Sequence, residues 1–184
     1  MLTTSGSPSF VGQLVTFTAS VSSIYGAIPD GELVNFSDGA TLLGSVPLHA
    51  GAAALTTSAL AARTHTIKAT YPGDHKFFAS SKTVSQVVMK YPTTTTLSSS
   101  LNPSHAGNAV TFTAHVASAG PVAPSGKVQF FDGTTSIGAT TVSGQIATLN
   151  LSTLALGTHS ITAHYLSDNA NAKSISPVLI QTVQ

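Results

Sequence analysis

The 184-residue sequence predicts an all-β chain made of two tandem antiparallel β-sandwiches, and three observations carry that prediction. The stretch Gly12 to Val21 returns 95 residues later as Gly107 to Val116, and the match continues through most of each half. Within each half, apolar residues alternate with Thr, Ser and other polar residues, as in Val110, Phe112, Ala114 and Val116, the period of a half-buried strand. Such runs are short and are separated by turn dipeptides, with no stretch that reads as a helix.

Taken in order, the first copy has strands near Leu14–Ser22, Leu33–Ser37, Thr41–Pro47, Ala52–Leu55, His65–Tyr71 and Val84–Met89. The second opens with Thr94 to Ser100, followed by the alternating Val110 to Val116 and then Lys127 to Phe131. Asp132-Gly133 stops that strand, as Asp38-Gly39 does in the first copy, because this dipeptide favours a tight hairpin. Ser136 to Val142 and Gln145 to Leu149 flank the turn Ser143-Gly144, and His159 to Tyr165 and Pro177 to Val183 complete the set. About seven short strands per copy at regular spacing predict a sandwich with Greek-key connections. The boundary is placed at Tyr91-Pro92, since proline cannot continue a central strand, giving domains 1–91 and 92–184. Leu2 aligns with Leu97, so the first strand of copy one is truncated: apart from Met1 it lacks counterparts of Thr93 to Thr96.

Several motifs together resemble the bacterial immunoglobulin-like repeat domains of large surface and secreted proteins. They are the Thr run ending at Leu97, Asn102-Pro103-Ser104, Gly107, Val110-Thr-Phe-Thr-Ala114 and Gly126-x-Val128-x-Phe130-x-Asp132-Gly133, followed by Leu154-x-x-Gly157-Thr-His-x-Ile161 and Tyr165-x-x-Asp168. The resemblance covers nearly all of both copies. It implies two immunoglobulin-like Greek-key sandwiches, an extracellular or bacterial cell-surface location, and a structural, spacer or adhesive role without a catalytic site. Copy one departs at Arg63, where copy two has Gly157; copy two departs at Asn171, where copy one has Phe77.

Composition narrows the chemistry. Seven Lys+Arg against six Asp+Glu give a net charge of +1, which excludes an electrostatic nucleic-acid binder. The absence of cysteine excludes a disulfide framework, a thiolate zinc site and a Cys nucleophile. No apolar run reaches the ~18 residues of a membrane-spanning helix, and no signal-peptide pattern opens the chain. His65 and His159 share one repeat position at a strand entrance, where a ring N–H can tie the strand to the preceding connection. His115 and His164 fall on outward phases of strands in opposite sheets, so they share no metal; His49, His75 and His105 show no ligand spacing. Six scattered acids form no calcium loop, and Asp38 and Asp132 are explained as turn residues. No nucleophile elbow or phosphate loop is present, and neither a catalytic residue nor a cofactor is expected.

One asymmetry between the copies points to an interaction patch. Ile24, Tyr25 and Ile28 sit in one connection of copy one and Phe77 and Phe78 in another, and the immunoglobulin topology brings these loops to one end. Phe77 can plug its own core, or the group can dock a neighbouring immunoglobulin-like domain or another copy of the chain. A surface glycan or protein receptor is the further alternative, with Tyr25, Phe77 and Phe78 as the binding residues. The expected role is a spacer or adhesive module. A filament subunit joined head to tail or by strand complementation is the alternative, since an open strand edge invites pairing.

Overall fold

Alternation alone dictates what each strand buries. In the computed structural model, which describes residues 1–184, Val15, Phe17 and Ala19 point inward and the intervening Thr16, Thr18 and Ser20 point outward. The chain forms two compact units, Met1–Met89 and Lys90–Gln184, with no helix.

The first unit contains eight strands: β1 (Leu2–Thr4), β2 (Ser9–Phe10), β3 (Val15–Ser20), β4 (Leu33–Asp38), β5 (Thr41–Pro47), β6 (Ala52–Thr57), β7 (Thr64–Tyr71) and β8 (Ser80–Met89). They make a three-stranded sheet in the order β1-β3-β6 and a five-stranded sheet in the order β2-β8-β7-β4-β5. All pairings are antiparallel except β2 with β8. The chain changes sheet between β3 and β4, between β5 and β6 and again between β6 and β7, the crossovers of a Greek-key sandwich. Phe17, Val34, Phe36, Ile67 and Tyr71 form the centre of the core.

The second unit repeats the plan with β9 (Thr93–Ser99), β10 (Val110–Ser118), β11 (Lys127–Asp132), β12 (Thr135–Thr141), β13 (Ile146–Leu151), β14 (Gly157–Tyr165), β15 (Ser174–Ile175) and β16 (Leu179–Val183). Its sheets are β13-β10-β9 and β12-β11-β14, with β15 and β16 both paired to β14. Phe112, Phe130, Ile161 and Tyr165 occupy the core positions of Phe17, Phe36, Ile67 and Tyr71.

Two details differ from the sequence expectation, each for a hydrogen-bonding reason, and a third follows it. The units divide two residues ahead of Tyr91-Pro92. The Tyr91 N–H donates to the Ala170 carbonyl (2.8 Å) and the Ala172 N–H donates back to Tyr91 (2.8 Å), so Tyr91 belongs to the second sandwich. The last strand of copy two is split around Ser176-Pro177, whereas β8 runs unbroken from Ser80. As the sequence leads one to expect, the chain differs locally at Arg63 and Gly157: Gly157 adopts φ +127° and begins β14, while β7 begins one residue after Arg63.

A polar clasp absent from the sequence reading recurs in both units. Gln86 and Gln181, 95 residues apart, are fully buried. Gln86 accepts from the Thr4 hydroxyl (2.6 Å) and donates to Ser9 Oγ (3.1 Å). Gln181 accepts from the Ser99 hydroxyl (2.6 Å) and donates to the Leu101 carbonyl (2.8 Å) and Ser104 Oγ (3.3 Å). Each clasp fastens the last strand to the opening segment of its own sandwich, satisfying an amide that would otherwise be costly to bury.

Candidate functional site

The end of the first unit is built from three connections, residues 21–32, 48–51 and 72–79. The first two are stitched together by Val21 N–H to the Gly51 carbonyl (2.9 Å), Gly31 N–H to the Leu48 carbonyl (2.9 Å) and Ala50 N–H to Asp30 Oδ1 (2.8 Å). In the third, Asp74 Oδ1 accepts the backbone N–H groups of Lys76 (2.7 Å) and Phe77 (2.5 Å), and the Asp74 N–H returns to the Phe77 carbonyl (2.9 Å). The Phe77 and then the Lys76 N–H hold the Asp74 carboxyl below the usual carboxylate range. This side-chain-capped turn sends Phe77 into the core and leaves Phe78 pointing outward.

All five residues singled out in the sequence line one cleft of about 480 Å³, but they do two different jobs. Ile28 and Phe77 are core residues, 8% and 5% exposed, so they form the floor and offer little surface. Ile24, Tyr25 and Phe78 are 91%, 76% and 93% exposed and form the rim. Tyr71 adds a polar group to the lining; its hydroxyl donates to the Glu32 carboxylate. That hydrogen bond, and then burial, push the phenol up to about 12.

The equivalent end of the second unit is polar. Asn171, in place of Phe77, is fully buried and accepts from the Ser118 hydroxyl (2.5 Å) while donating to the Val122 carbonyl (3.2 Å) and to Asp168 (3.1 Å). Asp168 Oδ1 accepts the N–H groups of Ala170 (2.9 Å) and Asn171 (2.7 Å), repeating the Asp74 turn. Burial alone would raise this carboxyl, but hydrogen bonds from Asn171 and Ser125 outweigh it and hold it well below the usual range. Within the 119–123 loop, Gly120 packs against its own unit. A Cβ on Gly120 would come within 2.2 Å of the Tyr91 ring.

The opposite end of each unit carries a His–Asp pair. His159 Nδ1 lies 2.6 Å from Asp132 Oδ2 and its Nε2 lies 2.9 Å from the Ala155 carbonyl. Both partners are acceptors, so both ring nitrogens must carry protons to satisfy them. The Ala155 carbonyl, then Asp132, raise the pKa of His159 against the opposing effect of burial. His65 faces the matching partners, Asp38 Oδ2 and the Ala61 carbonyl, each at 2.8 Å, and the Arg63 guanidinium donates to Asp38 Oδ2 at 2.5 Å. The carbonyl contact matches the expected tie to the preceding connection. The carboxylate contact was missed, because Asp before Gly already had an explanation as a turn residue; the signal was the 27-residue Asp-to-His spacing present in both copies. His115 and His164 do lie in different sheets, His115 exposed and the His164 ring 4.5 Å from that of Phe131 at a tilt of 41°. No three His, Asp or Glu side chains converge.

The family model described as "Bacterial Ig-like domain (group 3)" matches residues 2–89 and 96–184. Among curated proteins none matches the chain. Similar solved structures include the fibronectin(III)-like modules of Clostridium thermocellum CbhA, 17% identical, covering 100% of this chain and 93% of that one at a TM-score of 0.42. The D0-D1 domain of intimin is 17% identical, with 99% and 97% coverage and a TM-score of 0.37. Murine CEACAM1b is 12% identical, with 100% and 98% coverage and a TM-score of 0.41. These likenesses assign the chain no activity.

Proposed function

Because the chain belongs to the bacterial Ig-like domain (group 3) family, we propose that it serves as a non-catalytic structural module, a spacer in an extracellular or cell-surface array of such domains. The observation that carries this reading is that each repeat closes its own core and fastens its own first and last strands. Phe17, Phe36 and Ile67 are fully buried in one unit and Phe112, Phe130 and Ile161 in the other, with Gln86 and Gln181 as matching clasps. Two sandwiches of roughly 90 residues can each stand without a metal or a disulfide. Each adds a set length and resists extension through its antiparallel ladders.

Pulling the chain from its ends tests this. The force–extension curve should show two separate unfolding events, each releasing about 30 nm, the length of roughly 90 extended residues. Extension without force peaks would overturn the spacer reading. The adhesive reading is favoured by one observation, the rim of Ile24, Tyr25 and Phe78, because exposed apolar clusters mark contact surfaces more often than scattered residues do.

A further inference from the structure

The larger sheets of the two units carry different outer faces. In β11, Val128 and Phe130 are buried, so Lys127 and Gln129 face outward; in β14, Ala163 and Tyr165 are buried, so His164 and the next residue in phase, Leu166, face outward too. The register puts Gln129 opposite His164 and His164 opposite Ile175. One row on, the Leu166 N–H donates to the Lys127 carbonyl (3.0 Å), and antiparallel continuation sets Leu166 opposite Lys173, as Tyr165 is opposite Ser174. In the first unit the first of these rows is Asn35, Thr70 and Ser81, and by the same continuation the second is Leu33, Pro72 and Ala79. Lys127, Leu166 and Lys173 thus occupy a row that is uncharged in the first unit, and Ile175 stands where the first unit has Ser81.

A pocket of about 330 Å³ opens on these rows, lined by His164, Tyr165, Leu166, Lys173, Ser174 and Ile175. Its aliphatic side chains are available, since Leu166 is 51% and Ile175 60% exposed. Its polar groups are largely engaged. Ser174 Oγ meets the hydroxyls of Thr93 (2.8 Å) and Thr95 (2.7 Å), His164 Nε2 lies 3.1 Å from Thr162 Oγ1, and Tyr165 is buried in the core. The rim is cationic. The second unit has two acids, Asp132 and Asp168, and neither lies within ion-pair distance of a lysine. Asp132 is held by His159, and Asp168 by the N–H groups of Ala170 and Asn171. Of the unit's three lysines, Lys90 is taken up by Ser167 Oγ (2.7 Å) and the Asp168 carbonyl. The other two, Lys127 and Lys173, are exposed and flank Leu166 with no carboxylate to neutralise them.

We propose that this pocket takes an acidic, aliphatic peptide segment of a partner protein, with a leucine-like side chain on Leu166 and Ile175 and a neighbouring carboxylate between Lys127 and Lys173. Charge complementarity selects the acid. The scarcity of free hydrogen-bonding groups selects an aliphatic body over a sugar ring, whose hydroxyls would be desolvated without partners. Lys127 and Lys173 lie on either side of Leu166, two strand spacings or about 10 Å apart, and their flexible four-carbon stems let both ammonium groups converge on one carboxylate. The uncharged row of the first unit offers no such rim. This contact goes beyond the spacer reading and does not depend on it.

The test titrates the full chain, methyl-labelled at Leu and Ile, with acetyl-Leu-Glu-Leu-amide at low ionic strength and follows it by NMR. The same peptide with Gln in place of Glu, and free galacturonate, are the comparison probes. The Glu peptide should move the Leu166 and Ile175 methyl signals and bind about tenfold more tightly than the Gln peptide, the combined effect of two exposed ion pairs. Added salt should erase that preference. The double variant K127Q/K173Q, changed only at exposed positions, should also lose it, while L166S should weaken both peptides and keep their ratio. Equal affinity for the two peptides in the unaltered chain, or signals that move only elsewhere, would overturn the proposal. Tighter binding of galacturonate than of the Glu peptide would overturn it too, in favour of an acidic sugar. None of these results alters the two unfolding events expected under force, so failure here and failure of the spacer reading are distinguishable.

Discussion

His159 is held between two acceptors that want a proton from each of its nitrogens, and the consequence is a stability term that depends on pH. Its folded pKa lies above the unfolded value of about 6.5, so the pair's contribution is complete below that value and disappears as pH rises through the folded pKa. The site lies near the surface, so the contribution is set at about 1 kcal/mol, the scale of a hydrogen bond to a charged group discounted for solvent. Urea titrations of wild type and H159Q should therefore differ by about that amount at pH 5 and converge by pH 9. An unchanged gap across this range would show that the imidazole acts through packing alone. At the same scale, Phe77, which the sequence offered as a plug for its own core, is buried, and Phe78 points outward. The alternation of a strand does not reach the 72–79 connection, and the choice is made by the Asp74 side chain closing a turn on the Phe77 N–H. Gln86 and Gln181 escaped notice for a related reason: an isolated glutamine reads as surface, and only its partners, Thr4 and Ser9 or Ser99 and Ser104, make burial affordable.

Strands with strict alternation were legible because burial on one face is all that defines them. β3, β7, β10 and β14 carry the pattern in their side chains, and the two copies corroborate each other. β2 was not legible, since two residues cannot express a period and its parallel pairing to β8 depends on where the chain crosses between sheets. The irregularity in β4–β5 and β11–β12 belongs to this scale too. Register slips between Phe36 and Ser37 and between Phe130 and Phe131, and in each case a glycine of the partner strand faces a half-buried leucine packed on the core. A Cβ on Gly138 would lie 2.7 Å from Leu149 Cδ1, whereas one on Gly44 would lie 3.1 Å from Leu55 Cδ1. G138A should accordingly cost about 1–3 kcal/mol, the range of an overpacked core, and G44A distinctly less. Chemical denaturation resolving the two units decides it. Gly138 also holds φ +156°, which adds backbone strain that Gly44 does not carry, so equal losses would mean that neither the closer leucine nor the backbone at Gly138 costs anything extra.

At the scale of the whole molecule, the question is whether the apolar rim makes the chain self-associate. Sparse charge argues for association: a net charge of +1 gives little mutual repulsion, and the 184 residues carry only thirteen Lys, Arg, Asp and Glu to keep surfaces apart. Area argues against it. Ile24, Tyr25 and Phe78 are the exposed large apolar part of the cleft, and three such side chains, even at about 250 Å² each, present no more than about 750 Å². A stable interface needs about 800 Å² from each partner, and the translational and rotational cost of pairing must be met before any affinity appears. Area wins. Light scattering at about 10 μM should return 18.6 kDa, the mass of one chain, and F78A should leave that value unchanged. The rim then matters only where a partner is already close, as along a tethered array, where high effective concentration turns a weak contact into an occupied one. A dimer at 10 μM that survives F78A would refute this ranking of forces and direct attention to the open β8 edge. A dimer that F78A dissolves would instead make the loop end an interface between copies.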